Sequence, residues 1–482
     1  MLTLESRPRR LCDGATRRKL LQAGGAGLLG LSLPRAFAAE ELRGAVGDRP
    51  RGRAKSVIFL FLFGGPSQLE TFDLKPDAPT SIRGPFKPIP CRTPGLLISE
   101  HLPRLARISD RYSVIRTMTH DFNDHSGGGH YLQTGHRWHV PVGGGFDATP
   151  KDWPSIGSVV EYTEQGRARG PRDLPGYVVV PNRLGGLEQA GQYLRPGEYA
   201  GWLGRAYNPL TTSVQKRDLN DNPYWRDCTD AELTFQIQGQ SSPLEVEPVR
   251  LQRRRSLLSD LDTRRRALES DPLVSSYNRF QQRALGLVCS ERTHRALNLQ
   301  AETPAVRDRY GRHLFGQSCL MARRLVEAGV RFVTVHYECC DGYSWDWHVH
   351  SDDVKNHLMP TTDQAAAALL ADLDERGLLD ETLVVMLGEM GRTPKANGRW
   401  GRDHWSTLFP ALIAGGGVRG GVCHGSSDAD AAFAAEDPVS PEDLAATLYW
   451  ALGLDPEMTL PDAEARPTPL IEGGKPVTAL FG

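Results

Sequence analysis

"SVIFLFLFGG", residues 56 to 65, is an unbroken apolar run that stops on paired glycines. A strand with one face in water alternates apolar and polar residues, whereas a strand covered on both faces has no need to. The run therefore predicts an interior strand of a parallel sheet with helices on both sides.

The rest of the chain extends this reading. "YSVIRTM" (112–118) and "LPGYVVVP" (174–181) are further short strands. From residue 316 onward the pattern alternates. "GQSCLMARRLVEAG" predicts a helix closed by Gly329, and "VRFVTVHY" a strand. "MPTTDQAAAALLADLDERG" predicts a helix closed by Gly377, and "ETLVVMLGE" and "TLFPALIAGGG" strands. "SPEDLAATLYWALG" predicts a helix with Ser440 as N-cap, Pro441 at its first position and acids in its first turn. Alternation of this kind gives an α/β fold whose mostly parallel sheet lies between two helical layers. Residues 140–245, rich in Gly, Pro and Trp, read as an inserted, loop-rich cap. Residues 248–300 read as helical, with Leu251, Leu258, Leu261 and Leu268 on one face and arginine triplets on the other.

The composition is that of an ordinary globular protein: 482 residues, 39% hydrophobic, 24% charged, with a formal net charge of −1. That balance argues against a dedicated nucleic-acid binder. In the arginine-rich helix Asp260, Asp262 and Glu269 interrupt the charge, so a solvated face accounts for it. Residues 1–39 contain paired arginines (Arg17, Arg18), an apolar run shorter than the roughly 20 residues a spanning helix needs, and an Ala-Phe-Ala pattern ending at Ala38. The stretch is expected to be a twin-arginine export signal cleaved near Ala38, delivering a folded chain to the periplasm or beyond, with an uncleaved anchor as the alternative. Of eight cysteines, Cys12 lies in that signal, and the spacing of the remainder matches no zinc ribbon or CxxC pair.

A polar cluster follows each of four strands: "GGPSQLETFD", "THDFNDHSGGGH", "ECCDGYSWDWHVH" and "MGRTPKANGRWGRDHW". Ligands of such folds gather beyond the carboxyl ends of parallel strands. Ser126, His130, Asp346, His348, Glu389, Asp403 and His404 are therefore expected to converge. Histidine and carboxylate without paired cysteine suit one or two divalent ions bound through nitrogen and oxygen, such as zinc or manganese. Asp346 and His348 are two apart, so in an extended segment both side chains face the same side, with His350 as a competitor for the role of His348. Ser126 fits a nucleophile at a helix start, where the dipole favours an anion.

Together, "FLFGGPSQLETFDLKP", "NDHSGGGHYLQTG", "DGYSWDWH", "LDERGLLDETLVVMLGEMGRTP" and "GRDHW" resemble the exported family called domain of unknown function 1501, placed in the alkaline-phosphatase and sulfatase superfamily. The resemblance implies an alkaline-phosphatase-like three-layer sandwich with two metal positions. Ser126 with Gly129-His130 is similar to the nucleophile pattern of cofactor-independent phosphoglycerate mutases. By the same resemblance Asp346, His348 and His404 would hold the first metal and Glu389 the second, with His130 and Arg392 steadying the anion. The chain departs from the superfamily pattern at Gly64-Gly65 and Met390, and from the family pattern at Gln68, Glu70 and "WDWHVH". No formylglycine motif is present.

These residues imply a metal-dependent hydrolase of a small anionic ester or a sulfated or phosphorylated glycan. The alternative is a non-catalytic exported binding or scaffold protein with the same fold. The Trp- and Gly-rich stretch 197–209 reads either as pocket lining or as loop packing.

Overall fold

The computed structural model describes residues 52–140, 147–167, 174–187, 194–218, 220–237, 290–338, 344–349 and 352–482. The expected signal (1–39), most of the helical segment 248–300, Cys339, Cys340 and His350 lie outside the described residues.

Eleven strands carry the account: β1 (Ser56–Leu62), β2 (Tyr112–Met118), β3 (Tyr177–Val180), β4 (Leu210–Ser213), β5 (Gln236–Ile237), β6 (Phe332–Tyr337), β7 (Thr382–Leu387), β8 (Gly391–Arg392), β9 (His404–Trp405), β10 (Phe409–Ala414) and β11 (Cys423–His424). All but β8 and β9 form one sheet, in the order β11-β2-β10-β7-β1-β6-β3-β4-β5. β1 is central and pairs in parallel with β6 and β7. The helices that cover the sheet are α1 (His125–Thr134), α2 (Ile156–Arg167), α3 (Leu314–Glu327), α4 (Met359–Glu375) and α5 (Pro441–Ala451).

The unbroken apolar run of β1 has a simple cause. Ile58, Leu60 and Leu62 belong to a core shared with α3 and α4. Val57, Phe59 and Phe61 belong to a second core shared with α2 and α5. Each fully buried side chain of this size stabilises by roughly 1.5–3 kcal/mol, and a polar residue at either set of positions would lose water without gaining a partner. The sheet between two helical layers is therefore the arrangement the sequence predicts.

Two features differ from expectation. The strand in "TLFPALIAGGG", β10, runs antiparallel to both neighbours, β2 and β7. A strand that returns between two parallel ones has no signature in composition, because its residues are equally covered on both faces. Residues 140–245 also do more than cover the sheet, since their described part supplies α2 and the edge strands β3, β4 and β5. Because β10 is antiparallel to both, β2 and β7 share a direction, and the carboxyl ends of β1, β2, β6 and β7 open at one edge.

Helix ends follow local chemistry. Ser440 and Asp443 form a reciprocal capping box at the start of α5, each such cap being worth about 1 kcal/mol. Cys228 and Cys319 are buried free thiols, whereas Cys423 is exposed. Among the described residues no helix is long and apolar enough to cross a membrane.

One buried acid links the 194–200 segment to the sheet edge. Glu198 accepts the Leu184 N–H at 3.2 Å, and its Oε2 lies 3.6 Å from Nε2 of His336 on β6. Burial raises the Glu198 carboxyl from 4.5 to about 7 and lowers His336 to about 3. Between pH 4.5 and about 7 the folded chain keeps a proton on Glu198 that the unfolded chain has lost, so this group makes stability fall as pH rises through that window. His336 contributes the opposite slope below its unfolded value. Glu198→Gln is expected to lose less stability than the wild type between about pH 5 and about pH 7.5, measured by chemical denaturation at each pH. Identical losses in the two proteins would contradict the assignment.

Candidate metal centre

At the shared sheet edge, α1 begins where Asp124, in extended conformation, caps the helix by accepting the Gly127 N–H at 2.7 Å. The glycines that follow allow close packing. A Cβ on Gly127 would fall 2.4 Å from the Phe122 ring, and one on Gly128 would fall 3.2 Å from the Glu389 carbonyl. The chain entering α1 is anchored to the same residue, because His120 accepts the Phe122 N–H through Nδ1 and so donates from Nε2 to the Glu389 carbonyl at 2.6 Å. Burial lowers His120 to about 4, keeping it neutral.

Three imidazoles then meet one carboxylate. His125 faces Glu389 Oε1 through Nδ1 at 2.5 Å, His348 faces Asp403 Oδ1 at 2.9 Å, and His404 faces the Asn123 carbonyl at 2.8 Å. With each Nδ1 held by an oxygen, each ring presents Nε2 to the centre. The three Nε2 atoms surround Asp346. His125 lies 3.0 Å from Oδ2, while His348 and His404 lie 2.9 and 3.2 Å from Oδ1. The Nε2 atoms of His348 and His404 are 3.1 Å apart.

These separations suit a metal ion. Ligand atoms about 2.0–2.2 Å from a tetrahedral ion lie roughly 3.3–3.5 Å from one another. His125, Asp346 and His404 offer ligand atoms all within 4.8 Å of one another. His125 Nε2 is buried and makes no aligned hydrogen bond despite its 3.0 Å approach to Asp346.

Charge favours a cation at the same point. Burial opposes protonation of His125, but Asp346 and Glu389 outweigh it and raise the ring to about 9. Burial alone would raise Asp346, yet His125 and His404, with Arg392 behind them, hold its carboxyl far below the usual range. The hydrogen bond from His348 lowers Asp403.

The other expected site residues fall around this group. Glu389 is fully buried, and its two oxygens accept the Gly64 N–H at 2.8 and 3.0 Å while one also meets His125. It stands behind His125 and does not face the centre. Ser126 is buried, and its Oγ has no hydrogen-bond partner. His130 lies a turn further along α1, with Nδ1 3.1 Å from the His136 carbonyl and its ring stacked on Trp138. Burial lowers it to about 3.

Arg392 is at the centre, but its donors face inward. It reaches Asp346 Oδ1 at 2.6 Å, the Gly65 carbonyl at 3.0 Å, the Trp345 carbonyl at 3.2 Å and the Arg402 carbonyl at 3.3 Å, and it also meets the Gly64 carbonyl. Gln68 and Glu70, where the chain departs from the family pattern, act as struts. Gln68 exchanges hydrogen bonds with the Arg392 backbone at 2.8 and 3.0 Å. Glu70 pairs with Arg402 at 3.0 Å, two residues before His404.

His125 is the residue that the sequence reading missed. Its signal was present in "NDHSGGGH", where an Asp N-cap puts the next residue first in the helix. Next to Arg392 a narrow pocket with room for about one water is lined by Glu70, Trp345, Trp347, Trp400 and Arg402. The stretch 197–209 packs elsewhere, with Trp202 against Trp153 at 5.7 Å.

The profile of the family described as "Protein of unknown function (DUF1501)" matches residues 54–481. The chain belongs to the DUF1501 family. No curated protein matches it. Among solved structures the DUF1501 chain is similar to the PsFucS1 sulfatase from Pseudoalteromonas sp. (12% identity, TM-score 0.36, 87% of this chain and 72% of that one). It is also similar to the phosphonate monoester hydrolase SpPMH from Silicibacter pomeroyi (12%, 0.34, 89% and 76%). A third likeness is to a protein of the alkaline phosphatase superfamily from Vibrio parahaemolyticus (10%, 0.35, 86% and 74%).

Carboxylates behind metal-binding histidines typically contribute a 10–100-fold share of metal affinity. Glu389→Gln and Asp403→Asn are each expected to weaken zinc binding by about that factor while leaving the circular dichroism spectrum unchanged. Competition with a chromogenic chelator measures it, and wild-type affinity in both variants would refute the arrangement.

Proposed function

We propose that this DUF1501 chain is an exported, metal-dependent hydrolase of small anionic esters, phosphate or sulfate, including those carried on glycans. His125, Asp346, His348 and His404 would hold the divalent ion, zinc or manganese. One observation carries the reading: three histidines from three segments, each with Nδ1 tied to an oxygen, turn their Nε2 atoms onto a single carboxylate. An ion bound there supplies Lewis acidity toward an ester oxygen and activates water near neutral pH.

The chain's own groups orient and balance that chemistry. Glu389 and Asp403 fix two of the rings, and the Asn123 carbonyl fixes the third. The positive end of α1 opens on the same centre and favours an anion there. In this reading the attacking group is water, activated by the ion, and not the Ser126 hydroxyl. Export rests on the likeness of residues 1–39 to a twin-arginine signal, whose translocation machinery would be the partner.

A second reading, a binding protein without catalysis, is favoured by Arg392. Its donors are engaged by the chain's own oxygens, so it does not serve as an anion clamp.

Elemental analysis of the mature protein, with turnover on a panel of aryl and glycan phosphate and sulfate esters, separates the two. The wild type is expected to hold metal and to hydrolyse at least one ester in a chelator-sensitive way. His125→Ala and His404→Ala should each lose about 100-fold or more in activity, at least as much as loss of an outer partner costs. Ser126→Ala should retain most of it. Metal binding without turnover on any ester would support the binding protein, and unchanged metal content in both histidine variants would reject the site.

A further inference from the structure

Arg392 is 2% exposed, and its guanidinium is enclosed by oxygens. Those of Asp346, Gly65, Trp345 and Arg402 lie between 2.6 and 3.3 Å from its nitrogens, and the Gly64 carbonyl is a fifth. They come from three separate segments: the turn after β1, the loop after β6, and the strand pair β8–β9. The turn is built for the purpose. Gly64 and Gly65 both have positive φ, 109° and 79°, which swings their carbonyls onto Arg392. A Cβ on Gly64 would lie 2.2 Å from the Asp346 nitrogen, and one on Gly65 would lie 2.7 Å from the Met390 carbonyl. Gln68 holds the Arg392 backbone from the other side.

An enclosure of carbonyl and carboxylate oxygens is what a hard cation needs. We infer that Arg392 is the resident cation of an oxygen cage next to the histidine centre, and that its fixed charge restricts the chain to a single metal ion. This rests on the metal-binding reading above. The guanidinium shares Asp346 Oδ1 with the Nε2 atoms of His348 and His404. A second ion in the cage would stand next to both a guanidinium and the first ion, and their like charges would repel it. Arg392 thus acts as a positioning residue: it fixes the Asp346 carboxylate toward the histidines and keeps the cage closed to metal.

The test is the metal stoichiometry of the full mature chain, from titration calorimetry with Mn²⁺ and elemental analysis after dialysis. The wild type is expected to bind one ion. Arg392→Ala opens the cage while leaving its oxygens in place, and is expected to bind a second. Arg392→Lys keeps a cation in the cage and should stay at one. Two ions in the wild type, or two in the lysine variant, would overturn the inference while leaving the histidine centre standing. One ion in a folded alanine variant would also overturn it. No ion in the wild type would remove the histidine centre, and this inference with it. Should the alanine variant fail to fold, the wild-type and lysine stoichiometries still decide.

Discussion

The carboxylate of Asp346 is the point on which the site depends. His125 approaches one oxygen, and His348, His404 and Arg392 share the other. Three segments far apart in sequence, one with His125, one with Asp346 and His348, and one running from Arg392 to His404, therefore meet at one acidic group. With so many partners this group becomes the most strongly stabilised acid at the site, and its carboxyl is driven far below its ordinary range. The segments are held in place because the carboxylate needs them all.

The sheet makes this meeting possible. Parallel pairing of β1 with β6 and β7 places three strand ends on one edge, and the antiparallel β10 returns β2 to the same direction. Each strand end then turns sharply into its polar segment. Gly64 and Gly65 do this after β1, and the Asp124 cap does it before α1. The helical layers on both faces keep the strands rigid, so ligand positions are set by the core and not by the loops that carry them.

The departures from the family pattern gain a physical meaning in this setting. With Gly64-Gly65 after the first strand, the two backbone carbonyls are free to receive a guanidinium. Gln68 and Glu70 brace Arg392 and Arg402, which flank the hairpin bearing Asp403 and His404. Glu389, just beyond the end of β7, supports a histidine from behind and bonds to the glycine turn through both oxygens. Substitutions that look like lost ligands in the linear sequence form a consistent set of supports around one centre.

The sequence alone determined the layered α/β architecture, most element boundaries and the short segments from which the site is drawn. Those depend on hydrophobic period, caps and glycine stops, which act within a few residues of one another. It also placed Asp346, His348 and His404 in one group, because parallel strand ends must share an edge. Only the tertiary structure decided which side chains face inward. That His125 meets Asp346 is set by the packing of α1 against Glu389. Whether Arg392 meets a ligand or the chain's own carbonyls is set by the path of a glycine turn more than 300 residues away. Local pattern carries no record of such long-range geometry.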